Sequence, residues 1–350
     1  MGIKLESQAL GIDCSLGEGG GQAIRTALGL ACAFGVPVRL FNMRAGREIQ
    51  GLSHQHVSCV RALSAMCGAQ VHGLDLGAKE MTFLPRWKPV ASSYDFEIQT
   101  AGSATLLLQS VMLPLAISGG KNIISARGGT HVMKSPTFEY FSEVFCKSLA
   151  HFGISASAKI SSYGFYPKGG GQITVEMESA GLSKIKAEKP KFEEIRKTPE
   201  ELKKIKINAS IVSCGIPAHV AQREREAILS FFPNAAVAVS GARGTSAGNA
   251  VTLWHGNFGS CAFGKVGTRA EEVAKVACDL LQADMLAGGG MDLRLADQLL
   301  PYLAMLEAAG STNLPRISKH VATNAHIINS FFPNRIAIAQ SPPSVVWGGC

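Results

Sequence analysis

Apolar residues in the first half of the chain follow two spacings, one typical of helices and one typical of strands. In residues 52–67, Val57, Val60, Leu63 and Ala65 form one apolar face, which predicts a helix. Further helices are predicted over 105–118 and 136–152, and strands over 36–44, 81–84, 94–99, 122–126 and on both sides of 164–172. The order strand, helix, strand, helix, strand, strand recurs. The sequence therefore predicts a layered domain of the mixed α/β (α+β) class, built from repeated units.

The composition changes after residue 178. Residues 184–206 carry nine lysines and arginines interleaved with five glutamates, a mixture more typical of a solvated linker or surface than of a nucleic-acid groove. A strand over 205–214, a helix over 218–231 and a strand over 251–254 are predicted next, and helices over 293–308 and 323–332 near the end. We therefore expect a small domain at 183–280, inserted between two parts of a large domain, 1–182 and 281–350.

The overall composition is that of a globular protein with a large core. The chain has 350 residues, of which 46% are hydrophobic and 17% charged, and its net charge of +8 makes nucleic acid the first candidate partner. The N-terminus lacks signal-peptide features, and the apolar stretch 105–117 is too short to cross a bilayer. Nine scattered cysteines without a C-x-x-C pair favour a reduced, intracellular protein. We expect a cytoplasmic location and no membrane partner.

Two glycine-rich segments resemble each other, at 17–22 (Gly-Glu-Gly-Gly-Gly-Gln) and at 166–172 (Tyr-Pro-Lys-Gly-Gly-Gly-Gln). The first contains Glu18 and leads to Arg25 at the start of an apolar stretch, which predicts a loop followed by a helix N-terminus. Such a terminus suits an anion, the carboxylate suits a divalent metal, and the arginine suits a phosphate. The alternative is a tight turn with charges at the surface.

Two arginines follow the predicted strand over 36–44. Arg44 and Arg47, together with Arg25 and Gln55, would form a compact cationic site, because guanidinium groups bind phosphate through paired hydrogen bonds. The alternative is a pair of arginines that face water at the end of a strand.

Three further motifs carry weaker signals. His54 and His56 could share a metal only in an extended segment, but here they begin a helix, so a surface or phosphate-contacting role is favoured. Residues 259–266 nearly match a P-loop, yet Val266 stands where Ser or Thr must bind magnesium, and we interpret the match as accidental. His320 comes just before the helix predicted from residue 323, in a segment whose neighbours offer capping groups and charge; a structural and a catalytic role are both open.

Together these segments resemble the RNA 3'-terminal phosphate cyclase family. The resemblance runs from about residue 10 to 333 and rests on the joint order of its motifs, which are 17–22, 44–47, 51–56, 102–105, 128–130, 164–171, 295–299 and His320 with Thr323 and Asn324. It implies a large domain of three βαβαββ units, as in enolpyruvyl transferases, with a small domain inserted before the last unit. It also implies an enzyme, a ligase that uses ATP to close an RNA 3'-phosphate to a 2',3'-cyclic phosphate through a histidine–AMP adduct and an RNA adenylate.

The resemblance also implies the roles of individual residues. His320 matches the nucleophile, Glu18 matches the ligand of a divalent metal (Mg²⁺ or Mn²⁺), and the remaining matches are phosphate-binding Arg25, Arg44, Arg47 and Gln55 and nucleotide-pocket Gln109, Pro136 and Asp297. The implied partners are ATP and RNA with a 3'-phosphate end. His131, Glu139 and Arg294 depart from the family pattern, and His131 and Arg294 bear on how ATP is bound.

Three other functions are compatible with parts of the sequence. A non-catalytic relative in ribosomal RNA maturation lacks the nucleophilic histidine, so His320 argues against it. An enolpyruvyl transferase would share the repeated unit but would never form an adenylate. A general RNA-binding scaffold, suggested by charge alone, would show no dependence on ATP.

Overall fold

The computed structural model describes residues 9–348. Its first unit contains β1 (Leu10–Asp13), α1 (Gly21–Phe34), β2 (Val38–Phe41), α2 (His54–Cys67), β3 (Gln70–His72) and β4 (Met81–Leu84). The sheet order is β1-β2-β4-β3, with β1 and β2 parallel and the other pairs antiparallel. This is one complete βαβαββ unit.

The second unit repeats this topology. It contains β5 (Ser93–Glu97), α3 (Ala104–Ser118), β6 (Gly120–Gly128), α4 (Phe138–Tyr140), β7 (Ile154–Ser162) and β8 (Gly171–Ser179). Its sheet order, β5-β6-β8-β7, has the same strand directions as the first sheet. The helix predicted over 136–152 is confirmed in position, but its winding changes along its length, because α4 continues as a π-helix, Phe141–Cys146, and a 3₁₀-helix, Leu149–Phe152. Apolar spacing marks the buried face but does not separate these closely related helical windings.

A four-stranded sheet with its own core follows. The elements are α5 (Leu182–Ala187), α6 (Pro199–Lys204), β9 (Asn208–Cys214), α7 (Ala218–Phe231), β10 (Ala236–Ala242), β11 (Gly248–His255), β12 (Phe258–Phe263) and α8 (Ala270–Ala287), with sheet order β10-β9-β11-β12. Ile211, Val251, Leu281 and Met285 pack together in this core. Helix α8 thus continues past residue 280, where the sequence places a boundary. The three domain ranges stay a prediction.

The last unit begins with helix α9 (Leu293–Leu303), followed by β13 (Gly310–Asn313), α10 (Lys319–Phe331), β14 (Ile336–Gln340) and β15 (Pro343–Trp347). Its sheet order, β13-β15-β14, matches the last three strands of the other units. In place of a first strand, Gly290 N–H donates to Asn313 O at 3.0 Å. Helix α10 begins four residues before the predicted start, because Ser318 Oγ caps it by accepting from Val321 N–H.

Helix α1 lies at the centre of the large core. It packs against α2, α3 and α10, so helices from all three units meet on it. Ala27, Leu28 and Leu30 are fully buried, and a Cβ on Gly29 would lie 3.4 Å from Ser110 O of α3. This close packing fixes the N-terminus of α1 relative to that of α10. The predicted mixed α/β class is confirmed.

Three predictions concern features outside the core. Within residues 9–348, no helix has both the length and the apolar content needed to cross a bilayer. Eight of the nine cysteines lie in this range, and they form no disulfide there. Cys350 lies outside the described residues, as do the N-terminal residues on which the prediction of no signal peptide rests.

Candidate active site

The glycine-rich loop brings the main chain directly against two helices. Gly17 has φ of +72°, and a Cβ there would lie 2.1 Å from Thr323 Oγ1 of α10. A Cβ on Gly21, the first residue of α1, would lie 2.0 Å from His56 Nε2 of α2. Glycine is required at both positions because no side chain fits in these contacts. The predicted loop followed by a helix N-terminus is confirmed.

His320 lies in the first turn of α10, two residues after its cap Ser318. The prediction that His320 comes just before the helix is therefore wrong, because the helix begins at Lys319, after its cap Ser318. The His320 Nδ1 atom contacts Gln22 Oε1 and lies 3.0 Å from Glu18 Oε2. The side chain is 47% exposed, so the imidazole is accessible to a substrate while one of its nitrogens is held by the protein.

Gln22 determines which nitrogen of His320 carries the proton. Gln22 Nε2 donates to the carboxylate of Asp297 at 2.9 Å, which directs the amide oxygen towards His320. An amide oxygen only accepts hydrogen bonds, so Nδ1 of the neutral imidazole must be the donor. The unshared electron pair then lies on Nε2, and this is the nitrogen that is free to attack an electrophile.

Asp297 connects the three helices around His320. Its main-chain oxygen accepts from Asn324 Nδ2 at 2.6 Å, and Asn324 Oδ1 accepts from Thr26 Oγ1 at 2.7 Å. Burial raises the pKa of the Asp297 carboxyl to about 6, although the charges of His320 and Arg25 and the hydrogen bond from Gln22 oppose this shift. The residues of α1, α9 and α10 are thus tied together at the point where His320 is held.

Glu18 has one carboxylate oxygen bound and one without a hydrogen bond. Its main-chain N–H donates to Thr323 Oγ1 at 2.9 Å, and Arg47 forms an ion pair with Glu18 Oε1. The other oxygen, Oε2, is buried and accepts no hydrogen bond within the described residues, because the nearby Nδ1 proton of His320 is directed to Gln22. A buried anionic oxygen in this condition favours a cation.

The donors around Glu18 fit a divalent metal only if the substrate supplies most of the ligands. Among residues 9–348, no group of three or more His, Cys, Asp and Glu side chains is arranged to hold a metal ion. Mg²⁺ is often bound by one or two carboxylates together with water and substrate phosphates. The unsatisfied Oε2 of Glu18 is compatible with that mode of binding.

The predicted phosphate-binding arginines surround one buried histidine. Burial, together with the positive charges of Arg25, Arg44 and Arg47, lowers the pKa of His56 to about 3. Arg44 Nη1 donates to Gly51 O at 2.9 Å, which holds this side chain against its own loop. The three arginines are therefore close enough to act on the same imidazole, and their combined field favours a polyanion.

Gln55 offers a hydrogen-bond donor to the same region. Its Nε2 atom is buried and has no hydrogen-bond partner within the described part of the chain. A buried amide without a partner is costly, and an oxygen of a bound ligand would remove that cost.

Of the predicted nucleotide-pocket residues, Gln109 lies in α3, and the segments of the other two are linked to this helix through hydrogen bonds. Gln109 Nε2 donates to Gln298 Oε1 at 2.7 Å, and Gln298 follows Asp297 directly in α9. One turn earlier in α3, Thr105 Oγ1 donates to Pro136 O at 2.9 Å. Residues four apart share a face of a helix, so α3 connects Pro136 with the Asp297 segment. The structure thus places Asp297 against His320, while Gln109 and Pro136 adjoin the cluster through α3 and α9.

His131 and Glu139, two residues that depart from the family pattern, interact with each other. His131 Nε2 lies 2.7 Å from Glu139 Oε2, and His131 Nδ1 lies 2.8 Å from Thr130 Oγ1. The imidazole is buried and contacts the rings of Tyr163 and Phe165, with centroid distances of 5.6 and 5.2 Å. His131 is therefore a fully packed residue whose polar atoms are satisfied by its neighbours.

Arg294, the other departure, follows the residue that caps α9. Asp292 is fully buried and accepts from Arg294 N–H at 2.7 Å, from Tyr140 OH at 2.9 Å and from Gly259 N–H at 2.8 Å. These bonds join the second unit, the inserted sheet and α9. The effect of Arg294 on ATP binding stays a prediction.

The two remaining glycine motifs differ from the first. Gly259 lies in the antiparallel strand β12 and is not part of a loop before a helix, which confirms that residues 259–266 are no P-loop. The loop with Gly169 connects β7 and β8, and Gly169 O accepts from Thr245 Oγ1 of the inserted region at 2.9 Å. The resemblance between the two glycine runs therefore does not extend to their surroundings.

Sequence reasoning assigned no role in the site to Gln22, Thr323 and Asn324. Each makes a hydrogen bond to a predicted site residue or its main chain. Gln22 was visible as the amide that ends the glycine run, and Thr323 and Asn324 were visible beside His320. Gln22 and Thr323 bond residues about 300 positions away in the chain, and Asn324 bonds Asp297 of another helix, so spacing alone could not pair them.

Comparison with known proteins identifies the family of this chain. A family model described as RNA 3'-terminal phosphate cyclase matches residues 16–338. A protein of Methanosarcina mazei with the same description is 36% identical over 342 residues, covering 94% of this chain and 96% of the relative. Similar relatives named RNA 3'-terminal phosphate cyclase occur in Trichormus variabilis, at 33% identity with 94% and 96% coverage, and in Archaeoglobus fulgidus, at 32% with 91% and 94%. The chain belongs to the RNA 3'-terminal phosphate cyclase family.

Proposed function

We propose that this protein uses ATP to convert the 3'-terminal phosphate of an RNA into a 2',3'-cyclic phosphodiester. Membership of the cyclase family and the names of its relatives support the overall reaction. The observation that carries the mechanism is the state of His320. It is half-exposed, its Nδ1 is held by Gln22, and it stands beside Glu18 and the Asp297 carboxylate.

In the first step, His320 Nε2 attacks the α-phosphorus of ATP. A bond forms between nitrogen and phosphorus, the bond from phosphorus to the bridging oxygen breaks, and pyrophosphate leaves. Gln22 Oε1 accepts a hydrogen bond from Nδ1–H throughout, which keeps the imidazole in the tautomer that presents Nε2.

The protonation state of His320 suits this step. Burial lowers its pKa, and the positive charges of Arg25, Arg47 and Arg294 act in the same direction, while Asp297 opposes them. A lowered pKa means that the neutral, nucleophilic form predominates at neutral pH. The rate of adduct formation should therefore fall only when the pH drops through that lowered value.

In the second step, an oxygen of the RNA 3'-phosphate attacks the phosphorus of the bound AMP, and the bond to His320 breaks. The product is an RNA whose 3'-phosphate carries AMP, and His320 regains its free Nε2. In the last step the adjacent 2'-oxygen attacks the 3'-phosphorus, its proton passes to solvent, and AMP leaves. Because the 2'-hydroxyl is held next to this phosphorus by the ribose, proximity supplies much of the acceleration.

The other predicted residues bind and orient these groups. Arg25, Arg44 and Arg47 would hold phosphate oxygens, and the unpartnered Nε2 of Gln55 would donate to one of them. Gln109 and Pro136 would line the nucleotide site next to Asp297.

Glu18 would hold a divalent cation through its unsatisfied Oε2. When bound, the cation offsets negative charge on the phosphates. Arg47 already pairs with the other oxygen of this carboxylate, so Glu18 is anchored in the orientation that leaves Oε2 available.

The experiment is to incubate the protein with a 3'-phosphorylated RNA, with and without ATP, and to analyse the RNA end. We expect a cyclic phosphate that forms only with ATP, and an AMP adduct when ATP is supplied without RNA. The His320→Asn variant should form neither while it remains folded. A non-catalytic role would be indicated if RNA binding were retained and no cyclic end were formed by the wild type.

A further inference from the structure

A groove with a volume of about 610 Å³ lies between two segments of the chain that pack against each other. One wall is the loop before α4, with Met133 and Lys134. The other wall runs from the end of β12, at Phe263, along the loop to Arg269 and the first turns of α8. None of the residues to which a catalytic role is assigned lines this groove.

The charge of the groove is strongly positive. Lys134, Lys265 and Arg269 line it, with Glu272 as the one acidic residue among those that do. Within the described range 9–348, these three cations take part in no ion pair, although pairs such as Lys275 with Asp279 form further along α8. The N-terminus of the 18-residue α8 opens on the same groove and adds a partial positive charge. The groove therefore attracts a polyanion.

The groove also presents apolar side chains to solvent. Met133 and Val276 are about half-exposed, at 51% and 50%, and Phe263 also lines the groove. Cations interleaved with exposed apolar and aromatic surfaces are typical of sites for single-stranded nucleic acid, where cations contact phosphates and bases pack on the apolar groups.

The groove lies next to the proposed active site but does not overlap it. Gly259, at the inner end of β12, donates to Asp292 at the start of α9. Phe263 is four residues further along the strand, and at about 3.3 Å per residue it is roughly 13 Å away. On the opposite wall, Lys134 is two residues from Pro136 of the proposed nucleotide pocket.

We propose that this groove binds the RNA strand upstream of its 3'-terminal nucleotide. This inference rests on the proposed function, because it extends the substrate from the terminal phosphate to the chain behind it. The terminal phosphate lies at His320, and the preceding nucleotides pass along β12 to reach Lys134, Lys265 and Arg269. Lys265 belongs to the P-loop-like segment, so in this account that segment contacts backbone phosphates of RNA.

The test compares RNA lengths in a double variant, Lys265→Gln with Arg269→Gln. The probes are a single-stranded RNA of about 12 nucleotides with a 3'-phosphate, within the usual footprint of such grooves, and a dinucleotide with the same end. Two lost phosphate contacts should reduce the slope of log affinity against log salt by about 1.4 for the longer RNA. Between about 50 and about 200 mM salt, the wild type then loses about 7-fold more affinity than the variant. The dinucleotide should bind both proteins equally.

The matched control removes two surface charges elsewhere, with Lys121→Gln and Lys159→Gln in β6 and β7. This control should keep the slope of the wild type. An unchanged slope in the double variant would overturn the proposal, and so would an equal change of slope for the dinucleotide. The proposal would also fail if polyglutamate displaced the longer RNA from the protein as well as unlabelled RNA does.

AMP-adduct formation without RNA separates this proposal from the proposed function. It should be the same in the double variant as in the wild type, because Lys265 and Arg269 are not among the residues proposed to bind ATP. Suppose that the wild type formed no adduct while the salt-dependence slope for the longer RNA still differed between the wild type and the double variant. That result would contradict the proposed reaction and would support RNA binding in the groove.

Discussion

Replacing Gln22 by methionine tests how the protein sets the reactivity of His320. Methionine has nearly the same length as glutamine but neither donates nor accepts a strong hydrogen bond. In the wild type, Nδ1 of His320 donates to the neutral amide of Gln22, although Glu18 Oε2 is only 3.0 Å away. Without the amide, the Nδ1 proton has the Glu18 carboxylate as its nearest acceptor. A carboxylate stabilises the protonated imidazole, so the pKa of His320 should rise.

The size of this rise follows from the change of acceptor. The charge of Glu18 acts on His320 in both proteins, so the change comes from replacing a neutral hydrogen-bond acceptor by a charged one, about 0.5–1.5 kcal/mol against about 1.5–3 kcal/mol. These ranges differ by about 1–1.5 kcal/mol, and about 1.4 kcal/mol corresponds to one pKa unit. Below the new midpoint, a tenfold smaller share of His320 is neutral, so the AMP adduct should form about 10-fold more slowly. At higher pH the rate should approach that of the wild type.

The assay is the rate of AMP-adduct formation from labelled ATP as a function of pH. The matched control is Gln222→Met, which removes an exposed amide that bonds Glu226 in α7, far along the chain from the site. The control should keep the midpoint of the wild type. A Gln22→Met protein that is folded and has an unshifted midpoint would refute the reasoning. A rate reduced equally at every pH would show that Gln22 only orients the ring.

The other predictions concern the metal, the phosphates and the fold. Glu18→Gln should raise the concentration of Mg²⁺ or Mn²⁺ needed for adduct formation, because a neutral amide binds cations more weakly; a metal titration identical to that of the wild type would exclude Glu18 as a ligand. Arg44→Ala should reduce the slope of log RNA affinity against log salt concentration by about 0.7, and an unchanged slope in a folded variant would exclude Arg44 from the phosphate site. Asn324→Ala should lower the free energy of unfolding by about 1–3 kcal/mol, because Thr26 and Asp297 lose a buried partner. Denaturant titration measures this, and a loss under about 0.5 kcal/mol would contradict the role of Asn324 in joining three helices.

Much of the fold could be predicted from local patterns. Helix Ala218–Phe231 and strand Met81–Leu84 have the bounds expected from apolar spacing, since each has one buried face. Boundaries set by capping were harder to predict. Helix α10 begins at Lys319 because Ser318 caps it, and the predicted start at residue 323 followed the apolar pattern alone.

The candidate site shows a similar division. Resemblance identified Glu18, Arg47 and His320, and the structure brings these side chains together. The orientation of His320 depends on Gln22 and Asp297, which are 275 residues apart in the chain. A hydrogen bond between such distant residues depends on how α1 and α9 pack against each other, and no local pattern contains that information.

The most direct measurement locates the AMP on the protein. The wild type is incubated with ATP and a divalent metal but without RNA, and the adduct is trapped and mapped by mass spectrometry. The account predicts AMP on His320, formed more slowly as the pH falls through the lowered pKa of that imidazole, and absent from His320→Asn. AMP found on Lys319 or Lys265 would contradict the histidine mechanism and would indicate lysine chemistry like that of ligases.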